Sequence, residues 1–221
     1  MAGLAPPATA APACPPAHAP VLERLISAAC ADCWSQATAQ PKPAPAQAWV
    51  FDWIVPAASD APLAAAALLE SAERAGRLGH LAGTLPAQAL QPARRAGAGA
   101  GLKVGSGPAW NGYFGLEFRL PAGASQRLPA GSTGWLALVE QVRAGSDGTP
   151  VARALVRSVA GPLPLDALGA PAGAAANQPL THLRALRWPA GAEPTRLQAR
   201  AWIEGPDGTI LAVAADQCRP P

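Results

Sequence analysis

The chain lacks an uninterrupted apolar run of the roughly 18 to 20 residues that a transmembrane helix requires, so no membrane-spanning helix is predicted. It is also poor in lysine: of 17 basic residues only Lys42 and Lys103 are lysine. The arginines are scattered among apolar residues, which argues against the clustered charge of a nucleic-acid-binding or membrane-binding surface. We expect them to lie on the solvent faces of strands, as in the alternating stretch Arg196-Leu-Gln-Ala-Arg200.

Motifs of several enzyme classes are missing as well. There is no G-x-S-x-G segment, and the glycine-rich residues 97–107 lack the order of a phosphate-binding loop because Lys103 is not followed by Ser or Thr. This segment is predicted to be an interdomain linker. Four glutamates fall on predicted strands without a paired carboxylate, which leaves glycosidase chemistry unsupported. They are Glu23, Glu117, Glu140 and Glu204.

Residues 1–20, "MAGLAPPATAAPACPPAHAP", contain neither the positively charged start nor the Leu-rich segment of a signal peptide. Their composition is that of a flexible lead preceding a mature exported protein. The sequence therefore predicts a periplasmic or secreted protein whose signal peptide is absent from this chain.

Two regions that differ in predicted secondary structure follow. Residues 21–96 contain the strand-like segments "VLERLIS" (21–27) and "AWVFDWIV" (48–55), a short helix after Cys33 and a helix over 63–75 capped by Ser59 or Asp60, in the order of a βαβ unit. Residues 102–218 contain seven strand-like segments with Asp-Gly turns in "SDGT" and "PDGT", the pattern of an antiparallel β-sandwich. The predicted fold class is thus α/β plus all-β.

Cys30 and Cys33 form a Cys-Ala-Asp-Cys motif between the first strand and the first helix. Covalent haem attachment is excluded because Trp34 stands where a histidine is required. A zinc site is disfavoured because the remaining cysteines and histidines include no second pair at short spacing. A redox-active pair fits the strand–helix setting, since a helix N-terminus lowers the pKa of the first thiol. A static disulfide remains the alternative, and Asp32 favours it because a carboxylate disfavours a thiolate.

Two further cysteines, Cys14 and Cys218, lie near the two ends of the chain. Four cysteines allow three connectivities, and short-range pairing of Cys30 with Cys33 leaves these two as a structural disulfide. Such a bond persists only in an oxidising compartment, which agrees with export.

With these motifs in place, the chain resembles a family of exported thioredoxin-like proteins of unassigned activity, domain-of-unknown-function family 1223, as a divergent member. The resemblance is carried by "ACPPAHAPVLERLISAACADCW", and most specifically by "GPAWNGYFGLEF" and "RALVRSVAGPL". It implies a thioredoxin-like domain, in which Pro86 of "TLPAQ" is the counterpart of a substrate-docking cis-proline. The chain departs from the family at Ala31-Asp32, where members commonly carry Ser-Ser.

Two functions are predicted. In the first, the protein exchanges disulfides with a thiol- or disulfide-bearing partner protein: Cys30 attacks, Cys33 resolves and Cys30 is the more exposed sulfur. In the second, a non-catalytic binding or scaffold protein presents a surface near Trp110, Tyr113 and Phe114, and both disulfides are structural. Neither hypothesis requires a cofactor, a metal, a nucleic acid or membrane insertion.

Overall fold

The computed structural model describes residues 14–17, 19–36, 48–80, 88–90, 94–95, 101–165 and 178–218. Two α-helices are found there, α1 (Ala31–Ser35) and α2 (Leu69–Arg77). The strands are β1 (Pro20–Ser27), β2 (Trp49–Val55), β3 (Gln88–Leu90), β4 (Arg94–Arg95), β5 (Lys103–Ser106), β6 (Tyr113–Leu120), β7 (Thr133–Val142), β8 (Arg153–Pro164), β9 (Leu180–Arg187), β10 (Leu197–Glu204) and β11 (Ile210–Ala215). Short 3₁₀ turns lie at Ala64–Ala66, Ser125–Arg127 and Pro194–Arg196.

The strands form two sheets. The larger has eight strands in the order β11-β10-β7-β8-β2-β1-β3, with β4 also paired to β1. Within it β1 runs parallel to β2 and β2 parallel to β8, whereas the pairs β7–β8, β7–β10 and β10–β11 are antiparallel. The smaller sheet is antiparallel, in the order β5-β6-β9.

The predicted fold class, an N-terminal thioredoxin-like βαβ domain followed by an antiparallel β-sandwich, is wrong. The described chain is mostly β, and β1 and β2 belong to the same sheet as β7, β8, β10 and β11. Where a longer helix over 63–75 was expected, the structure has a 3₁₀ turn and then α2. The reason lies in packing: the apolar face of β2 is covered by side chains of β7 and β10 together with the short helix α2, so the N-terminal strands share a core with the C-terminal ones.

Aromatic side chains from both halves of the chain meet inside the larger sheet, which curls around them. The ring of Trp53 in β2 lies 6.1 Å from that of Trp202 in β10, edge to face, and Phe51 approaches Trp202 at 5.4 Å. Trp135 of β7 stacks on Trp202 at 5.9 Å. All four are buried, so this cluster, the tryptophan core, fixes the curl of the sheet.

The curl also buries a residue that the sequence pattern had placed in solvent. Arg200 of β10 lies inside the sheet, where its guanidinium sits over the rings of Trp49 and Phe51. It donates hydrogen bonds to the carbonyl of Val50 at 2.6 Å and to the side-chain oxygen of Gln198 at 3.0 Å. Burial lowers the pKa of Arg200 to about 10. The alternation along β10 therefore separates two buried faces, not a core face from a solvent face.

Helix α2 packs against β2 and places Arg74 beside the tryptophan core. Its guanidinium donates to both carboxylate oxygens of Glu23 and forms an ion pair of 2.9 Å with Glu204. The indole N–H of Trp53 donates to the same Glu23. Burial acts to lower the pKa of Arg74, but the two carboxylates outweigh it and the pKa is raised. Arg74 thus remains charged and links helix, β1 and β10.

The smaller sheet covers the face of the larger sheet that is opposite the tryptophan core. Leu116 and Phe118 of β6 pack with Leu136 and Leu138 of β7 in a second apolar cluster. Within the described ranges, no helix is long and apolar enough to span a membrane.

A disulfide fastens the two sides of the curled sheet. Cys14 precedes β1 and Cys218 follows β11, and the structure joins them with an S–S distance of 2.00 Å across a sequence separation of 204. Beside this bond the N–H of Val213 donates to the carbonyl of Ala17 at 3.3 Å. The two chain ends therefore close the sheet at the place where the β1 and β11 sides meet.

We expect the double substitution Cys14→Ser with Cys218→Ser to lower the free energy of unfolding by about 4–5 kcal/mol, because the bond closes a very long loop in the unfolded chain. Urea denaturation followed by tryptophan fluorescence measures this. Cys30→Ser with Cys33→Ser is the matched control, and its cost is expected to be smaller because that loop is short. Equal costs for the two pairs would contradict the closing role of Cys14–Cys218.

Candidate functional site

The second disulfide lies at the junction between β1 and α1. The N–H of Cys30 donates to the carbonyl of Ser27 and closes a turn, after which the helix begins at Ala31. Cys30 and Cys33 are bonded at 2.02 Å, and the N–H of Cys33 donates to the sulfur of Cys30 at 3.2 Å. Cys30 is partly exposed, whereas Cys33 is only 6% exposed. The pair therefore presents one cysteine to solvent and keeps the other inside.

An apolar floor supports the buried cysteine. Cys33 packs in a cluster with Ile26 of β1, Ile54 of β2, Val142 of β7 and Leu155 of β8. These residues lie on the face of the sheet opposite the tryptophan core. The floor fixes the position of the disulfide through strands from both halves of the chain.

Arg153 of β8 holds α1 in place from below. Its guanidinium donates to the carbonyl oxygens of Cys33 at 3.1 Å and Trp34 at 3.0 Å, and to the hydroxyl of Thr149 at 3.1 Å. The same group lies 5.1 Å from the centre of the Trp34 ring, within cation–π distance. Burial lowers the pKa of Arg153, while neighbouring Asp52 acts in the opposite direction. Arg153 thereby satisfies carbonyls that such a short helix leaves without partners.

Asp52 of β2 compensates the charge of two arginines. It is fully buried. Arg24 of β1 donates a hydrogen bond from Nη2 to its Oδ2 at 2.7 Å, and Nε of Arg24 forms an ion pair with its Oδ1 at 2.5 Å. Arg153 lies 3.5 Å from it, and the N–H of Ala154 donates to it at 2.6 Å. The three charged side chains form a buried group, Arg24–Asp52–Arg153, that ties β1, β2 and β8 together beneath α1.

The four cysteines named in the sequence analysis lie in two separate places. Cys30 and Cys33 are brought together at a partly exposed turn, and Asp32 between them is exposed. Cys14 and Cys218 form the separate closing bond described above. Pro86 lies outside the described residues.

Arg24 and Arg153, which support the site, were missed by sequence reasoning. A signal was available for Arg24 and Asp52, because each is a charged residue within a largely apolar strand, "VLERLIS" and "WVFDWIV". Charged residues are rarely buried unless paired, so opposite charges in two buried strands suggest a partnership. No local pattern marks Arg153 as their third member, because β8 becomes a neighbour of β2 only through the fold.

A cavity of about 270 Å³ opens beside Trp34. Its lining is Trp34, Ile54, Leu63, Ala66, Glu140, Val142, Asp147, Leu155, Arg157 and Gly191. Glu140 of β7 is only 7% exposed, with Arg157 at 3.6 Å and Arg196 at 4.0 Å. Burial raises the pKa of Glu140, and the two arginines act in the opposite direction. The cavity is apolar at its base and carries Glu140, Asp147 and Arg157 at its side.

An exposed aromatic turn lies elsewhere, on the smaller sheet. Trp110 is 83% exposed and Tyr113 is half exposed, and their backbones exchange two hydrogen bonds. Asn111 and Gly112 between them have φ of 49° and 81°, as a type I′ turn requires. Trp110, Tyr113 and Phe114 were predicted to lie on a binding surface, without use of the Asn-Gly signal for this turn. Phe114 is only partly exposed, and its ring lies 5.0 Å from that of Trp188. In the described ranges, no group of three or more His, Cys, Asp or Glu residues could hold a metal ion.

We expect Asp52→Asn to lower the free energy of unfolding by about 3–5 kcal/mol, because it leaves two buried guanidiniums without a counter-charge. Chemical denaturation measures the change. The control is Asp60→Asn at an exposed position, which is expected to change stability by less than about 0.5 kcal/mol. If both variants were equally stable, the group beneath α1 would not be an ionic support.

The chain matches no protein-family model and no curated protein. Among solved structures it is similar to HBP35 of Porphyromonas gingivalis, with a TM-score of 0.54 and 11% sequence identity, over 93% of this chain and 76% of that one. At this identity the similarity concerns the fold alone.

Proposed function

We propose that this is an extracytoplasmic protein that exchanges disulfides with a partner protein through Cys30 and Cys33. The observation that carries the proposal is the unequal exposure of the two cysteines, with Cys30 partly exposed and Cys33 buried on the apolar floor. A partner's sulfur can approach the first cysteine, while the second is held within reach behind it. A structural staple does not require this asymmetry.

The reduced pair would react in two steps. The thiolate of Cys30 attacks one sulfur of the partner's disulfide, forming a mixed disulfide and releasing the other partner sulfur as a thiolate that takes up a proton. Cys33, after losing its proton, then attacks the sulfur of Cys30, releases the second partner thiol and re-forms the Cys30–Cys33 bond. The partner gains two electrons and two protons, and the pair loses them; the reverse sequence oxidises a dithiol.

One local feature favours Cys30 as the attacking group, and another opposes it weakly. A backbone N–H already donates to its sulfur, and a hydrogen bond to the charged form stabilises a thiolate. Asp32 opposes the thiolate, but its exposure to water and salt screens its charge. The balance supports Cys30 over the buried Cys33.

The two disulfides are compatible with an extracellular protein, because such bonds persist in oxidising compartments. These bonds support the proposal that the protein acts in the periplasm or outside the cell. The relationship to domain-of-unknown-function family 1223 stays a prediction.

We expect the full-length protein to accelerate insulin reduction by dithiothreitol, and Cys30→Ser to reduce the rate to the uncatalysed background. Reduced Cys33→Ser, mixed with insulin after the dithiothreitol has been removed, is expected to stall at a mixed disulfide, because the resolving sulfur is missing. The control, Cys14→Ser with Cys218→Ser, is expected to keep the activity under conditions in which it remains folded. Catalysis that survives Cys30→Ser would disprove the mechanism.

The exposed aromatic turn supports a second candidate, a non-catalytic binding protein. Trp110 and Tyr113 flank a hydrogen-bonded two-residue turn, and exposed aromatic side chains are frequent centres of protein recognition. In this case the disulfides would only stabilise the fold.

For this candidate we expect the double variant Trp110→Ala with Tyr113→Ala to capture roughly tenfold less partner from extracytoplasmic extract than the full-length parent protein, the loss typical of a binding hot spot. Quantitative mass spectrometry of the captured proteins measures this. Leu69→Ala, at another exposed apolar side chain, is the control and is expected to change nothing. Capture that depends on Cys30 and not on the aromatic turn would exclude this candidate.

A further inference from the structure

The cavity beside Trp34 shares residues with the apolar floor that supports the Cys30–Cys33 disulfide. Its base consists of Ile54, Val142 and Leu155, which are also members of the apolar floor under Cys33. Its wall includes Trp34, the residue that follows Cys33 in α1. A molecule that reaches Cys30 therefore lies close to the cavity.

The cavity has the size of a side chain. Its volume of about 270 Å³ lies below the range of roughly 300–1,000 Å³ that is usual for sites of whole small molecules. The apolar base favours a hydrophobic group over a charged one, since burying an unpaired charge is costly.

The wall of the cavity is rigid and aromatic. The indole N–H of Trp34 donates to the carbonyl of Asp147 at 2.7 Å, and Arg153 covers the ring by a cation–π contact. A ring held in this way offers a fixed surface for another aromatic ring, and such pairs add about 0.5–1.5 kcal/mol to the burial of apolar area.

The polar side of the cavity selects a neutral donor. The carboxylate of Glu140 has its cationic neighbours at 3.6 and 4.0 Å, beyond the usual length of a charge-assisted hydrogen bond. Asp147 is already paired with Arg196 at 2.6 Å. A cationic side chain would meet Arg157 in the lining and Arg196 behind Asp147, and an anionic one would meet the two carboxylates. A phenol can instead fill the apolar base and donate its O–H to Glu140.

We propose that this cavity binds a tyrosine side chain next to the reacting cysteine of the partner protein, and so sets which disulfides are exchanged. The inference rests on the proposed exchange through Cys30 and Cys33. Trp34 and Glu140 are then specificity-determining residues, and Arg153 positions Trp34.

The test uses three peptides, Gly-X-Cys-X-Gly with X as tyrosine, phenylalanine or alanine, each joined through cysteine to 5-thio-2-nitrobenzoate. The reduced protein attacks the peptide sulfur through Cys30 and releases the yellow thiolate, whose absorbance gives kcat/KM. Cys33 then displaces the peptide thiol and re-forms the Cys30–Cys33 bond. We expect kcat/KM to be roughly tenfold higher for tyrosine than for alanine, with phenylalanine between them, as for a side chain bound in a small pocket.

A matched pair of variants separates the cavity from its surroundings. Ala66→Phe fills the cavity and is expected to abolish the preference for tyrosine. Ala65→Phe in the same 3₁₀ turn places the ring at an exposed position outside the lining and is expected to leave the preference intact. A tyrosine preference that survives Ala66→Phe would overturn the proposal.

A second readout does not depend on exchange. The oxidised protein is titrated with Gly-Tyr-Ser-Tyr-Gly, and the indole N–H signal of Trp34, assigned with Trp34→Phe, is followed by NMR. We expect the signal to shift with this peptide, not with its alanine analogue, and not in Ala66→Phe. Exchange without a shift or a preference would overturn the cavity proposal and leave exchange standing. A shift without exchange would overturn the substrate role together with the proposed function.

Discussion

The contact between Trp53 and Trp202 is the constraint on which the rest of the structure depends. It joins β2, near the start of the chain, to β10, near its end, and Trp135 stacks on the same ring. Because the aromatic side chains bury a large apolar area, the sheet curls until β2 and β10 face each other. The curl then explains the buried Arg200 and the disulfide that joins the chain ends. The core around these rings therefore belongs to both halves of the chain, whereas the second apolar cluster lies entirely within residues 102–212.

The positions of most strands could be predicted from the sequence, whereas their partners could not. Apolar and β-branched runs marked β1, β2 and the seven strands from β5 to β11, and Asp147-Gly148 marked the turn between β7 and β8. Pairing depends on contacts between distant residues. The parallel pairing of β1 and β2 fitted a thioredoxin-like unit. However, β2 also pairs with β8 on its other side, and no local sequence pattern shows this. The alternation in β10 was misread for the same reason, since both of its faces are buried.

For the candidate site as well, the sequence predicted one part and not the other. The spacing of Cys30 and Cys33 predicted a bond at a strand–helix turn, and the structure has a disulfide there. Its supports come from four strands: the floor beneath Cys33 and the group Arg24–Asp52–Arg153. These supports hold α1 rigidly while leaving Cys30 accessible. A supported turn with one partly exposed cysteine suits an exchange reaction, in which the partner must approach along a defined direction.

The reduction potential of the Cys30–Cys33 pair tests the proposed exchange most directly. Alkylation and mass spectrometry across a series of thiol redox buffers would give it for the full-length protein, with Cys14–Cys218 as an internal reference. We expect a value between roughly −120 and −270 mV, the range of thiol–disulfide oxidoreductases. A value below about −300 mV would identify a structural bond and contradict the account.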